Sequence, residues 1–283
     1  MGKIYQALIA GLIAAPLAGT IAAADVLSQI EERGAIRLGI RPDAPPFSYL
    51  TEAGEPAGLA VALCRSVVAA MARQLGRDGL DVRFVPVNAR GRFDALITGR
   101  TDLHCGPASA TLPRRETLDF SMLYFVDGAA AVVRPATYDS VKQIADGRIG
   151  VSAGTTTEGM VREMIDRGEL DAALVTFQSH ELGLRTLKRG RIDAYFGDSG
   201  IMRFQMQAMG LDDDLTLLPQ TFSFEPYALV MKRGETRLRL AVDRALSGIY
   251  RSGKIYELIK QELGDYRLSP LGRAVYQIVG LPG

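Results

Sequence analysis

Short strand-like apolar runs alternate with helix-spaced ones along almost the whole chain, and this alternation limits the possible folds more than any other feature. Residues 35–40 (AIRLGI) read as a strand, and 59–75 as a helix with apolar residues at helical spacing. A strand at 82–87, a short helix at 93–97, a strand entering a loop at 101–105 and a small-residue strand at 128–133 follow. A second series then begins, with strands at 148–151, 173–177, 192–196 and 215–218. Its helices are read at 156–167, 181–189 and 200–209. A strand at 227–231 precedes a helical end, 236–250 and on to 263, broken near Ser252 and Gly253. Parallel strands need a crossover, usually a helix, so this order predicts an α/β fold with mostly parallel sheets. Two series predict two lobes. The Ser/Pro/Gly-punctuated tail, 269–283, is expected to pack loosely.

At the N-terminus Lys3 precedes an apolar run at 7–18 and small residues ending Ala22-Ala23-Ala24. That order describes a secretory signal peptide, 1–24, cut after Ala24. A membrane anchor is the other possibility, but about 20 residues, many of them Ala and Gly, lie at the weak end for a span. Lys3 is the only charge in 1–24, so 32 of the 33 basic residues remain against 32 acidic ones. This balance excludes bulk attraction to nucleic acid or an anionic membrane, and any charge selectivity must be local. The mature chain is expected to be soluble and periplasmic. Cys64 and Cys105 are the only cysteines, and in an exported protein an even pair favours a disulfide. Two buried free thiols are the alternative, since sequence does not show whether the Cβ atoms meet.

No metal or cofactor is expected. The two cysteines and two histidines lack zinc-ligand spacing, and no Gly-rich dinucleotide or phosphate loop is present. The strings at 103–105 (LHC) and 197–200 (GDSG) echo trypsin-like proteases, but those are all-β enzymes whose triad is defined by geometry. Residues 150–159 (GVSAGTTTEG) open a helix whose N-terminus offers free N–H groups to an anion, or which Thr155 or Thr156 simply caps.

Eight segments in order resemble the extracellular solute-binding proteins of polar amino-acid ABC transporters. They are 35–49 (AIRLGIRPDAPPFSY), 58–64 (GLAVALC), 85–96 (VPVNARGRFDAL), 102–121 (DLHCGPASATLPRRETLDFS), 151–158 (VSAGTTTE), 193–198 (DAYFGD), 225–229 (EPYAL) and 252–258 (SGKIYEL). The resemblance implies a two-lobed type II periplasmic-binding fold. One lobe would contain 25–128 plus 226–283 and the other 129–225, including two hinge crossings, with ligand held between them.

The same resemblance implies a site. Arg114 would take a ligand α-carboxylate as a bidentate pair, a task for a planar guanidinium rather than an ammonium. Ser109 would add donors, Thr156 with Thr155 beside it would close from the second lobe, and Asp198 would receive the ligand ammonium. Arg41, Arg92 and His180 match the distal-carboxylate donors of the glutamate/aspartate binders, and Arg41 would repel a cationic side chain. Taken singly, Arg41 and Arg92 are better read as surface partners of Asp43 and Asp94, and His180 as a cap of the helix at 181. Agreement among several charged positions favours the site. Pro107 and Ala89 depart from the subgroup, which has serine at both places; Pro107 keeps only its carbonyl. A longer or modified dicarboxylate is therefore compatible with the pocket. The expected function is capture of an acidic amino acid by a monomer that docks transiently on a membrane ABC permease, without catalysis. A cyclohexadienyl-dehydratase-like lyase on the same fold and a ligand-sensing subunit are the alternatives.

Overall fold

The structure is a computed structural model that describes residues 24–282 except 265, 267 and 269. The predicted signal peptide lies outside the described residues up to position 23. The first elements are α1 (Val26–Arg33), β1 (Ala35–Ile40), β2 (Asp43–Ala44), β3 (Ser48–Leu50), β4 (Pro56–Ala57), α2 (Leu59–Gln74), β5 (Asp81–Pro86), α3 (Arg92–Ile97), β6 (Leu103–His104), α4 (Leu112–Arg115) and β7 (Leu118–Asp127). Next come β8 (Ala129–Val133), β9 (Gly147–Ser152), α5 (Thr156–Asp166), β10 (Ala172–Phe177), α6 (His180–Lys188), β11 (Ala194–Asp198), α7 (Ser199–Ala208) and β12 (Thr216–Leu217). The chain ends with β13 (Glu225–Lys232), α8 (Thr236–Arg251), α9 (Lys254–Leu263) and α10 (Pro270–Val279).

Two five-stranded sheets share one topology. The first runs β5-β1-β6-β13-β7 and the second β10-β9-β11-β8-β12. In each, three parallel strands are followed by two antiparallel ones, and the inner of these two enters from the other sheet. A small antiparallel sheet, β2-β3-β4, sits beside the first. The fold is thus α/β with two lobes and sheets flanked by helices. The parallel strand β1 is buried on both faces, which is why AIRLGI is an unbroken apolar run apart from Arg37. Helix α2 buries Leu59, Leu63, Val67 and Met71 in one row and Ala60, Cys64 and Val68 in the next, one broad apolar face, and leaves Arg65, Ala69 and Arg73 exposed along the other side.

The chain passes between sheets at Gly128, which joins β7 to β8, and again between β12 and β13. These crossings touch. A Cβ on Gly128 would lie 2.6 Å from Thr221 Cγ2 and 2.8 Å from the Ser223 carbonyl oxygen, so only glycine lets them pass. Strand β7 has no counterpart among the expected strands, which stop at 101–105 and resume at 128–133.

The loose tail is corrected. Among its described residues α10 docks on the first lobe, with Tyr276 buried and its hydroxyl donating to the Tyr124 carbonyl at 2.8 Å. Pro270 opens this helix, where a missing N–H costs nothing, so the punctuation marked a helix start. Cys64 and Cys105 form a disulfide, which ties α2 to the loop after β6.

Candidate functional site

Parallel strands deliver loops at their carboxyl ends, and both sheets point those ends at one cleft. From the first lobe, Arg41 follows β1, Arg92 opens α3 after β5, Pro107 and Ser109 follow β6, and Arg114 lies in α4. From the second, Thr155 and Thr156 follow β9, His180 follows β10 and Asp198 ends β11. All nine line the same cavity. It is narrow, about 20 Å³, room for roughly one water, so a larger ligand enters only when the lobes part.

The cationic wall is buried. Arg41 and Arg92 are each 2% exposed, so neither is a surface residue. Arg41 does pair with Asp43, Nε to Oδ1 at 2.7 Å, but inside the protein. The bond leaves Arg41 Nη2 and Asp43 Oδ2 without partners. Burial works to raise the Asp43 carboxyl, but the Arg41 charge and hydrogen bond prevail and hold it below its ordinary value. Arg92 makes no ion pair with Asp94. Its Nη1 donates to the carbonyls of Ala89 and Gly154, the latter at 3.3 Å, while Nε has no partner. Ala89, predicted as a site where a hydroxyl is lost, thus serves through its carbonyl.

Arg114 Nη1 donates to the Ser109 carbonyl at 2.9 Å. One ring supports two of these cations: the Arg92 and Arg114 guanidinium carbons lie 4.3 and 5.0 Å from the Phe93 centroid. Burial pulls the Arg92 guanidinium well below its usual range, and the charges of Arg114 and Arg41 pull further. Burial also lowers Arg114, opposed by Glu225 and Asp198. Buried cations with spare donors are stabilised by an anion.

His180 is 3% exposed, and its Nδ1 lies 3.1 Å from the Tyr195 hydroxyl. Burial brings it down to about 4, with Arg41 adding and Asp43 opposing, so the ring is neutral at pH 7. It does not cap α6; Ser179 does, accepting from the Leu182 amide. Thr155 caps α5 and donates to the Ser152 carbonyl at 2.8 Å, so the backbone uses its hydroxyl. Gly154, at φ +77, lets the lobes meet, since a Cβ there would come within 2.8 Å of Arg90 Cα.

The acidic side holds more than the predicted Asp198. That carboxylate accepts from the Tyr227 hydroxyl and from Thr157 Oγ1 at 3.2 Å. Burial pushes it up to about 7, helped by Asp127 and Glu225. Asp127 accepts from Ser199 Oγ at 2.7 Å and the Gly200 amide at 3.0 Å, at the N-terminus of α7. Glu225 is 3% exposed and accepts from Ser109 Oγ, from Thr156 Oγ1 at 2.7 Å and from Ser223 Oγ at 2.6 Å. Neither Asp127 nor Glu225 was predicted, although EPYAL was among the matching segments. Ser152, Thr157 and Ile201, also on the cavity wall, were missed too, and Ser152 Oγ is buried without a partner. Ser152 and Thr157 are chain neighbours of the predicted Thr155 and Thr156, and that adjacency was the available signal.

Over 262 residues the chain is 28% identical to the L-glutamate/L-aspartate-binding protein of Pseudomonas aeruginosa, covering 90% of this chain and 85% of the relative. Among solved structures it is similar to an ancestral arginine-binding protein bound to arginine. That match has a TM-score of 0.73 and 26% identity, over 82% of this chain and 99% of the other. It is also similar to an ABC transporter / periplasmic binding protein from Brucella ovis with glutathione bound, with a TM-score of 0.73, 26% identity, and 89% and 79% of the two chains covered. The two-lobed architecture is the type II periplasmic-binding fold of these neighbours. Residues 36–265 match the model of the bacterial extracellular solute-binding proteins, family 3, and the chain belongs to that family.

Proposed function

We propose that this protein captures an acidic amino acid, glutamate- or aspartate-like, by closing its lobes around it, and presents it to a membrane ABC permease. The observation that carries this reading is the convergence of two buried guanidiniums, Arg41 and Arg92, and the half-buried Arg114 on one cavity whose opposite side is acidic. Two of them keep unpartnered buried nitrogens there, Arg41 Nη2 and Arg92 Nε. Such donors ask for oxygen acceptors of negative charge.

Arg114 with Ser109 and Thr156 receives the α-carboxylate. Arg41, Arg92 and neutral His180 receive the distal one, and Asp198 the ammonium. The three solved or curated relatives differ in their named ligands, so the choice among amino acids rests on the pocket's own charges. Arg41 lies where a lysine- or arginine-like side chain would extend, and like charges in a buried site exclude it. Ion pairs at both ends support micromolar or tighter binding, about −8 kcal/mol or better. Binding without chemistry is part of the proposal, as is export to the periplasm by the cleaved leader.

Calorimetric titration of the mature protein with glutamate, aspartate, glutathione, glutamine and arginine tests it. Tight binding of an acidic ligand is expected. Tight binding of arginine alone refutes it.

A further inference from the structure

Glu225 is a carboxylate whose single oxygen joins hydroxyl donors from both lobes. It stands at the start of β13, directly after the second crossing, and its register partner across the antiparallel pair is Asp127. Its Oε2 accepts at once from Ser109 Oγ of the first lobe and from Thr156 Oγ1, the opening residue of α5 in the second. Those are two of the three groups assigned above to a ligand's α-carboxylate. The third, Arg114, senses Glu225 as its foremost stabilising charge. The side chain thus stands in for the ligand.

It also has a disfavoured neighbourhood. Asp127 lies opposite in register, Asp198 is close enough to be raised by both, and like charges so placed destabilise one another.

We propose that Glu225 is a specificity residue, whose carboxylate holds the α-carboxylate donors and yields them only to a ligand that brings an ammonium together with its carboxylates. The proposal rests on the amino-dicarboxylate reading of the cleft. An amino dicarboxylate that displaces Glu225 places its cation among Asp198, Asp127 and Glu225, and three crowded carboxyl groups gain a common partner. A dicarboxylate without the amine also has to displace Glu225, and it adds negative charge with no relief. Discrimination between the two therefore depends on the charge of Glu225 as well as on Asp198.

The test compares the wild-type protein, Glu225→Gln and Glu225→Asp, each titrated calorimetrically with glutamate and with 2-oxoglutarate, which carries a ketone in place of the amine. Wild type is expected to prefer glutamate by 100-fold or more. Glu225→Gln should narrow that ratio at least tenfold, and Glu225→Asp, which keeps the charge, should retain most of it. An unchanged or wider ratio in Glu225→Gln overturns the proposal, as does equal narrowing in both variants, which would assign the effect to packing. If wild type binds neither compound, the acidic-ligand reading fails on its own. X-ray scattering of the ligand-free wild type and Glu225→Ala then decides: loss of the Ser109–Glu225–Thr156 bridge should enlarge the radius of gyration in Glu225→Ala, and an unchanged radius overturns the proposal.

Discussion

The Tyr195 hydroxyl lies 3.1 Å from His180 Nδ1; both side chains are buried, and His180 lines the cleft. Burial pushes the Tyr195 phenol far up, so it keeps its proton throughout the physiological range. With the phenol as donor, Nδ1 accepts and Nε2 carries the hydrogen available to a ligand carboxylate. Tyr195→Phe is expected to weaken glutamate binding about fivefold, the worth of one neutral hydrogen bond near 1 kcal/mol. Calorimetry reads the change.

His180 also sets a pH dependence. Its folded value, about 4, lies below the ordinary 6.5, so the unfolded chain binds more protons between them. The stability from burying the neutral ring is complete above pH 6.5 and is lost as pH falls toward 4, about 3 kcal/mol in all. Thermal unfolding of His180→Gln should show a flatter slope over that window than wild type.

Asp198 works in the opposite direction. Its folded value of about 7 exceeds the ordinary 3.8, so the ligand-free fold binds the extra proton and loses stability as pH rises between the two. A ligand ammonium would pull the carboxyl back down, so binding at pH 6 should release close to one proton and affinity should rise toward pH 7 and then level. Calorimetry in buffers of different ionisation enthalpy measures the proton. Asp198→Asn should abolish the release and weaken binding at least tenfold.

The cationic wall trades stability for binding. Arg92 is buried beside Arg41 and Arg114, with only carbonyl oxygens accepting its hydrogen bonds among the described residues. Arg92→Met should therefore raise the ligand-free unfolding free energy by about 1–3 kcal/mol, because a buried charge without a carboxylate partner is replaced by an apolar chain of similar volume. Glutamate affinity should fall about 10- to 100-fold, as expected for a charged hydrogen bond. Urea titration and calorimetry on the same samples check both signs.

The disulfide closes a loop spanning 41 residues and ends two positions before Pro107. Replacing both cysteines by alanine should cost about 2–4 kcal/mol of stability. It should also loosen the loop that carries Pro107 and Ser109, weakening binding. Urea unfolding measures the first effect and titration the second.

Strand β1 and helix α2 were legible because local pattern decides them: an apolar run flanked by turns, and a helix-length apolar segment ending near Gly76. The place of Arg114 and Asp198 on the cavity wall was legible only through the segments around them, since a lone arginine or aspartate has many bland uses. Glu225 escaped because its role depends on partners 116 and 69 positions away, Ser109 and Thr156. Helix α10 escaped because its anchor, Tyr276, finds the Tyr124 carbonyl 152 positions earlier.

Taken alone, the sequence determined the periodicities, the two series of strand and helix, and an inventory of charged residues near strand ends. Those follow from local backbone preference and side-chain spacing, which need no distant partner. Tertiary structure decided which charges are buried together, that Arg41 keeps a free nitrogen while paired with Asp43, and that three carboxylates crowd one hinge. Desolvation and Coulomb interaction depend on distance through space, and no order of letters along a chain contains that distance.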